Sequence, residues 1–250
     1  MNNTFNIKRL SQFILRQASM NFTPFFIGIG GIFGILLIIA LLTAHFDLNN
    51  FDNIFPLGMV TFFAGGFIFS SSVFSELNSS GKSYTFLTLP VSNLEKIIGS
   101  WLLTSPLYII VFNLMLALIY FISAISAGLE ISMLNFYGSS FWNIIAVYTV
   151  LQTIFFLGAC TFKNYNFLKT LLSIFLLFVI LASFGGSLAG ILFQGHFDGD
   201  TIHFNNESFL SNNESSLKYI VTKTVPLIFW YILAPFLLIV SYFKLKEREV

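Results

Sequence analysis

A few residues in this chain have types and spacings that would do chemistry in other surroundings. Gly81-Lys82-Ser83 matches the tail of a phosphate-binding loop, in which backbone N–H groups and a lysine cradle a nucleotide. Such a loop needs another glycine five residues before Gly81; that position is Glu76, and no strand leads into it, so nucleotide binding is not expected here. Gly28, Gly30, Gly31 and Gly34 suggest a dinucleotide fingerprint, but position 33 is Phe and the segment is apolar throughout. His45, His196 and His203 stand far apart, and Cys160 is the only cysteine, so neither a disulfide nor a cysteine-based zinc site is expected. Paired carboxylates, a histidine cluster or a Ser/Lys dyad facing one cavity would point to an intramembrane enzyme. The apolar segments contain none of these, and no catalytic, cofactor-binding or metal-binding residue is expected.

The elements that would position any site are plain. The chain has 12 Lys and Arg and 11 Asp and Glu, and every one falls outside six apolar stretches at 22–44, 54–75, 97–127, 139–162, 170–195 and 224–243. Each stretch is long enough to cross about 30 Å of hydrocarbon as a helix, which takes about 20 residues. Lipid offers the backbone no hydrogen-bond partners, so helices rather than open sheets are expected. Hydrophobic residues make up 56% of the 250, and the mean hydropathy is +0.84, leaving no room for a separate soluble domain. The expected fold is therefore an all-α membrane protein, one transmembrane domain over 1–250 with six spans. A charge at the centre of an isolated span costs about 2.5–3.5 kcal/mol on insertion scales. With none there, any transport is expected to draw its driving force from a partner.

Charge bias sets the orientation. Lys8, Arg9, Arg16, Lys82, Lys96, Lys163, Lys169, Lys244, Lys246 and Arg248 fall on one side, and only Lys218 and Lys223 on the other. The positive-inside rule then places both termini in the cytoplasm. The opposite face is acidic, with Asp47, Asp52, Glu130, Asp198, Asp200, Glu207 and Glu214. Residues 1–21 are too polar for a secretory signal. Phe5, Ile7, Leu10, Phe13, Ile14 and Ala18 recur at helical spacing there, which predicts an amphipathic helix in the cytoplasmic interface that feeds the first span.

Lesser signals lie within the spans. Gly30 and Gly34 form a small-xxx-small pair that would support close helix packing, including at a dimer interface. Pro106, Pro226 and Pro235 are candidates for bending their helices, and Gly185-Gly186 is another in the fifth stretch, where the sequence leaves open whether the helix breaks. Asn113, Asn143, Gln152 and the hydroxyls of Ser70, Ser71 and Ser72 are expected to bond to neighbouring helices. The polar outer loop at 196–222 is expected to hold little packed core. The two halves of the chain show no repeat, which argues against an ion-coupled carrier built from inverted repeats.

The connector between the second and third stretches is too structured for a simple link. Ser92 and Glu95 have capping-box spacing after Pro90, so a helix is predicted to start near Asn93 and run into the third span. Upstream, Tyr84, Phe86, Leu87 and Leu89 stand beside polar Asn78–Ser83, giving a short amphipathic element that a groove on another protein would hold. A helix lying among lipid headgroups fits the same pattern.

This segment resembles the ABC-2 type transporter permease family: an acidic residue, a glycine five residues on, then Leu-x-Leu-Pro-x-Ser-x-x-Glu entering a membrane helix. Glu76, Gly81, Leu87, Leu89, Pro90, Ser92 and Glu95 carry the pattern here. The six-span layout and the Tyr-Phe-x-Leu-Lys-Glu-Arg run at 242–248 extend the resemblance over the chain. It implies a multi-pass subunit of the bacterial cytoplasmic membrane, pairing with a second permease copy and with an ABC ATP-binding subunit that carries ATP and Mg. The segment 76–89 would be the coupling helix seated in that subunit. Tyr84, Phe86 and Leu87 would anchor the contact, Glu76 and Lys82 would add polar contacts, and Pro90, Ser92 and Glu95 would set the turn into the third span. The Asn78-Ser79-Ser80 run is neutral where the family is often basic. A hydrophobic or amphiphilic substrate and export are expected, with lipid but no nucleic acid among the partners. The alternative is a non-transporting scaffold or sensor that recruits a cytoplasmic partner through 76–96.

Overall fold

The computed structural model describes residues 5–46, 54–126, 128, 139–193, 196–198, 201–203 and 224–248. Six of its helices are long and apolar enough to cross a membrane, and this is a multi-pass, mainly helical membrane protein. In chain order the elements are α1 (Ile7–Phe46), α2 (Ile54–Ser72), a 3₁₀ turn (Ser75–Asn78), α3 (Ser80–Leu87), α4 (Asn93–Leu102), a π segment (Leu103–Leu107) and α5 (Tyr108–Ser126). Then come α6 (Ser139–Thr161), α7 (Asn166–Phe193), a hairpin of β1 (His196–Asp198) and β2 (Thr201–His203), α8 (Val225–Leu227), a second π segment (Ile228–Leu233) and α9 (Ala234–Glu247). The hairpin is antiparallel with His196 opposite His203, and it is an addition to the all-α expectation. The rest of the outer loop, 199–200 and 204–222, lies outside the described residues.

Two cores hold the bundle. In the first, Leu36 and Ala40 of α1, Phe62 of α2, Phe112 and Leu116 of α5 and Tyr148 of α6 pack together around Tyr108. Tyr108 stacks on Phe62 at 5.5 Å and donates its hydroxyl to the Phe62 carbonyl at 2.8 Å. The hydroxyl of Tyr148 donates to the Thr104 carbonyl at 3.1 Å, and Gln152 Nε2 donates to Thr104 Oγ1 at 2.7 Å. Gln152 thus makes the cross-helix bond expected of it. Thr104 belongs to the π segment that surrounds Pro106, whose missing N–H disrupts the α-helical ladder. The bend expected there takes this form, and a π segment likewise lies between Pro226 and Pro235.

The second core lies at the end of the bundle where both described termini meet. It gathers Phe13, Phe74, Phe86, Phe156, Cys160 and Leu245. Arg248 closes it by donating Nη2 to the carbonyls of Thr161 and Phe162, both at 2.9 Å, a cation at the carbonyl end of α6. Asn166 Nδ2 donates to the Ser71 carbonyl at 3.3 Å and ties the start of α7 to α2. Beyond Thr170, α7 leaves the bundle: no side chain from Leu171 to Leu188 is buried within the chain.

Four local features complete the helices. The question of a break at Gly185-Gly186 is answered by an unbroken helix through both, since an exposed apolar helix keeps its own hydrogen bonds even at glycines. The N-terminal helix feeds the first span without interruption, the two forming one continuous helix, α1. Ser71 and Ser72 bond to carbonyls of Phe67 and Phe69 in their own helix, and Asn113 to Ile109 in its own, whereas Ser70 bonds both the Gly66 carbonyl of its own helix and Tyr148 of α6. At Gly30 and Gly34 no atom of the described residues lies within 4 Å of where a Cβ would stand, so those faces are open within the chain. The intimate contacts fall elsewhere: Gly66 receives the ring of Tyr148, and Gly158 faces Thr170.

Candidate functional site

The connector from Ser75 to Glu95 is built against α1. Its 3₁₀ turn carries Glu76, whose carboxylate is buried and paired through Oε2 with Arg16 Nη2 at 3.0 Å. Asn78 Oδ1 accepts the Asn164 N–H at 3.1 Å, fixing the turn to the tight α6–α7 link, where Asn164 and Tyr165 have positive φ. Helix α3 follows and stops at Thr88, whose N–H bonds the Tyr84 carbonyl at 3.0 Å. Leu89 precedes Pro90 and is thereby steered away from helical geometry, so the chain turns.

Ser92 then caps α4. Its N–H donates to Glu95 Oε2 at 2.8 Å and its Oγ accepts the Glu95 N–H at 3.3 Å, completing the expected capping box. Glu95 does more than cap. Its Oε1 accepts the backbone N–H of Asn6 at 2.7 Å and meets Arg9 Nη2 at 3.2 Å, although the residue is 0% exposed. A buried carboxylate without such donors would be costly, and these groups satisfy it. Gly99, one turn on, lets the ring of Phe13 approach; an added Cβ would stand 2.8 Å from Phe13 Cδ1.

The two sides of α3 differ sharply. Gly81, Lys82, Tyr84, Thr85 and Thr88 are exposed, and Tyr84 is 74% so. Leu87 and Leu89 are half-buried against the second core, and Pro90 is exposed. Phe86 requires a correction. Expected to anchor an outside partner, it is 0% exposed, set edge-on between Phe13 at 6.2 Å and Phe74 at 6.0 Å. An aromatic ring two positions from an exposed tyrosine on one helix turns about 200° away from it, and the larger apolar payload goes inward. Glu76 is corrected likewise: its carboxylate serves Arg16 inside the chain rather than an outside surface.

Arg9, Arg16, Gln17 and Lys96 were not among the residues assigned to this segment from the sequence, yet each holds it. Gln17 Nε2 donates to the Val73 carbonyl at 2.8 Å. Lys96, 1% exposed, donates Nζ to the Leu87 carbonyl at 3.3 Å and lies 5.4 Å from the centre of the Phe86 ring. The signal for the arginines was their seven-residue spacing, two turns of one helix face, beside Leu10, Phe13 and Gln17.

Among the described residues no three His, Cys, Asp or Glu side chains converge as a metal site would require. The chemistry the segment offers is recognition: a short helix with one face fixed to the spans and the other bare. No family model, no curated protein and no solved structure matches this chain.

Proposed function

We propose that this chain is the membrane-spanning permease subunit of an ABC-2 type ATP-driven transporter, exporting a hydrophobic or amphiphilic substrate. In this reading the end of the bundle that carries both termini faces the bacterial cytoplasm, and the first part of α1 lies at that interface. The ATP-binding subunit receives α3, and a second permease copy completes the pore. The observation that carries the reading is the two-sided α3, with Tyr84, Lys82, Thr85 and Thr88 bare and Phe86 locked into the bundle. A helix held this way transmits a push, because displacing its outer face must move α1, α2 and α4 with it. Nucleotide-driven closure would bias a two-state bundle through its differential affinity for the two arrangements. The uncovered faces of α7 and of α1 around Gly30 and Gly34 suit a second copy.

The test is affinity purification of the tagged chain in mild detergent, with mass spectrometry and an ATPase assay. A co-purifying ATP-binding subunit with vanadate-sensitive turnover, lost on Tyr84→Asp, is expected. A well-folded preparation that brings down a different soluble partner through Tyr84, with no ATPase, would replace the transporter by a scaffold.

A further inference from the structure

Glu95 and Lys96 are adjacent, both charged and both buried, in the first turn of the helix that enters the third span. On a helix, neighbours in sequence point about 100° apart, so the two side chains serve different elements. Glu95 reaches Asn6 and Arg9 on the N-terminal segment. Lys96 reaches the other way, to the carbonyl of Leu87. Leu87 is the last residue of α3, where the carbonyls lack helical partners and the helix dipole favours a cation. The same ammonium lies near the face of Phe86, the residue that roots α3 in the core. The link between Leu87 and Asn93 contains Pro90 and offers little ordered ladder to carry force. The side-chain contact from Lys96 is the shorter route.

We propose that Lys96 is a positioning residue that clamps the C-terminal turn of α3 to the third span, independently of the Glu95 clamp on the N-terminal helix. Resting on the permease reading, this makes Lys96 the junction through which a displacement of α3 enters the membrane. The clamp itself is a property of the chain and is testable without any partner.

The experiment is hydrogen exchange on the purified full-length protein, comparing wild type, Lys96→Met, Lys96→Arg and Glu95→Gln. Lys96→Met keeps an unbranched side chain one atom shorter and cannot donate. It is expected to speed exchange of the amides from Tyr84 to Thr88 about tenfold, the size of effect that one charge-assisted hydrogen bond supports. The amides of α1 from Leu10 to Gln17 stay at wild-type rates, and Lys96→Arg restores protection of α3. Glu95→Gln is expected to do the reverse, loosening the start of α1 and leaving Tyr84–Thr88 protected. Equal loosening of both segments in either variant, or an unchanged α3 in Lys96→Met, overturns the clamp. Where an ATP-binding subunit co-purifies, Lys96→Met should retain it while lowering vanadate-sensitive turnover. Absence of any such subunit sinks the permease reading alone and leaves the exchange result to decide the clamp.

Discussion

Phe86→Ala is the most demanding perturbation the second core offers. The ring is fully buried and makes edge contacts with Phe13 and Phe74, and Phe74 in turn packs on Phe156 at 5.3 Å. Phe156 lies one turn before Cys160 on α6, and Cys160 is both fully buried and the only cysteine in the chain. Truncating a buried phenylalanine costs about 3–5 kcal/mol through lost transfer energy and the cavity left behind. At about 1.4 kcal/mol per tenfold, the open population of this core should rise by roughly a hundredfold to several thousandfold. The assay is the rate at which a maleimide labels Cys160 in the native protein, since the thiol reacts only when the core opens. Tyr84→Ala, two residues away but exposed, should shift the rate by less than about threefold, because surface truncations stay within about 0.5 kcal/mol. Phe86→Leu should fall between the two. A Phe86→Ala protein labelled as slowly as wild type would refute the packing argument for α3 as a whole.

Other perturbations have equally definite outcomes. Gly66→Val would drive a side chain into the ring of Tyr148 and disturb its bond to Thr104, so a loss of about 1–3 kcal/mol is expected, read as a lower melting temperature in detergent. Gly185→Ala with Gly186→Ala meets open space in an unbroken helix and should leave stability unchanged or raise it by about 0.5–1 kcal/mol per site, measured the same way. Arg248→Ala removes two bonds to the end of α6 and should make the C-terminal turn an early target of limited proteolysis, with the spans left intact.

Much of this architecture was legible because lipid imposes simple rules. Uniform apolar length gave all six spans, and Ser92 with Glu95 gave the start of α4 through local hydrogen-bond chemistry alone. Pro106 gave a helix irregularity for the same reason, since a missing N–H needs no tertiary context. What was not legible depended on neighbours. Gly30 and Gly34 have the spacing of a packing pair, but the closest contacts among the described glycines fall at Gly66 and Gly158, neither of which has a glycine four residues away. Phe86 and Tyr84 were equivalent as aromatic residues in an amphipathic segment, and only the rotation of α3 against Phe13 and Phe74 separates them. The clamp from Lys96 was hidden because positive charge near a span reads first as orientation.

The π segment at Leu103–Leu107 has a consequence for the whole third span. Ser100, Thr104, Tyr108, Phe112 and Leu116 are all buried, and they follow one another at intervals of four. On a straight α-helix each such step overruns a full turn by about 40°, so the row would wind away from α2 and α6. A turn holding extra residues takes up part of that overrun and keeps the row aimed at its partners. The five residues therefore work as a measure of angle more than of length. Removing any one of them would swing everything from Tyr108 onward by about 100° relative to the capped end.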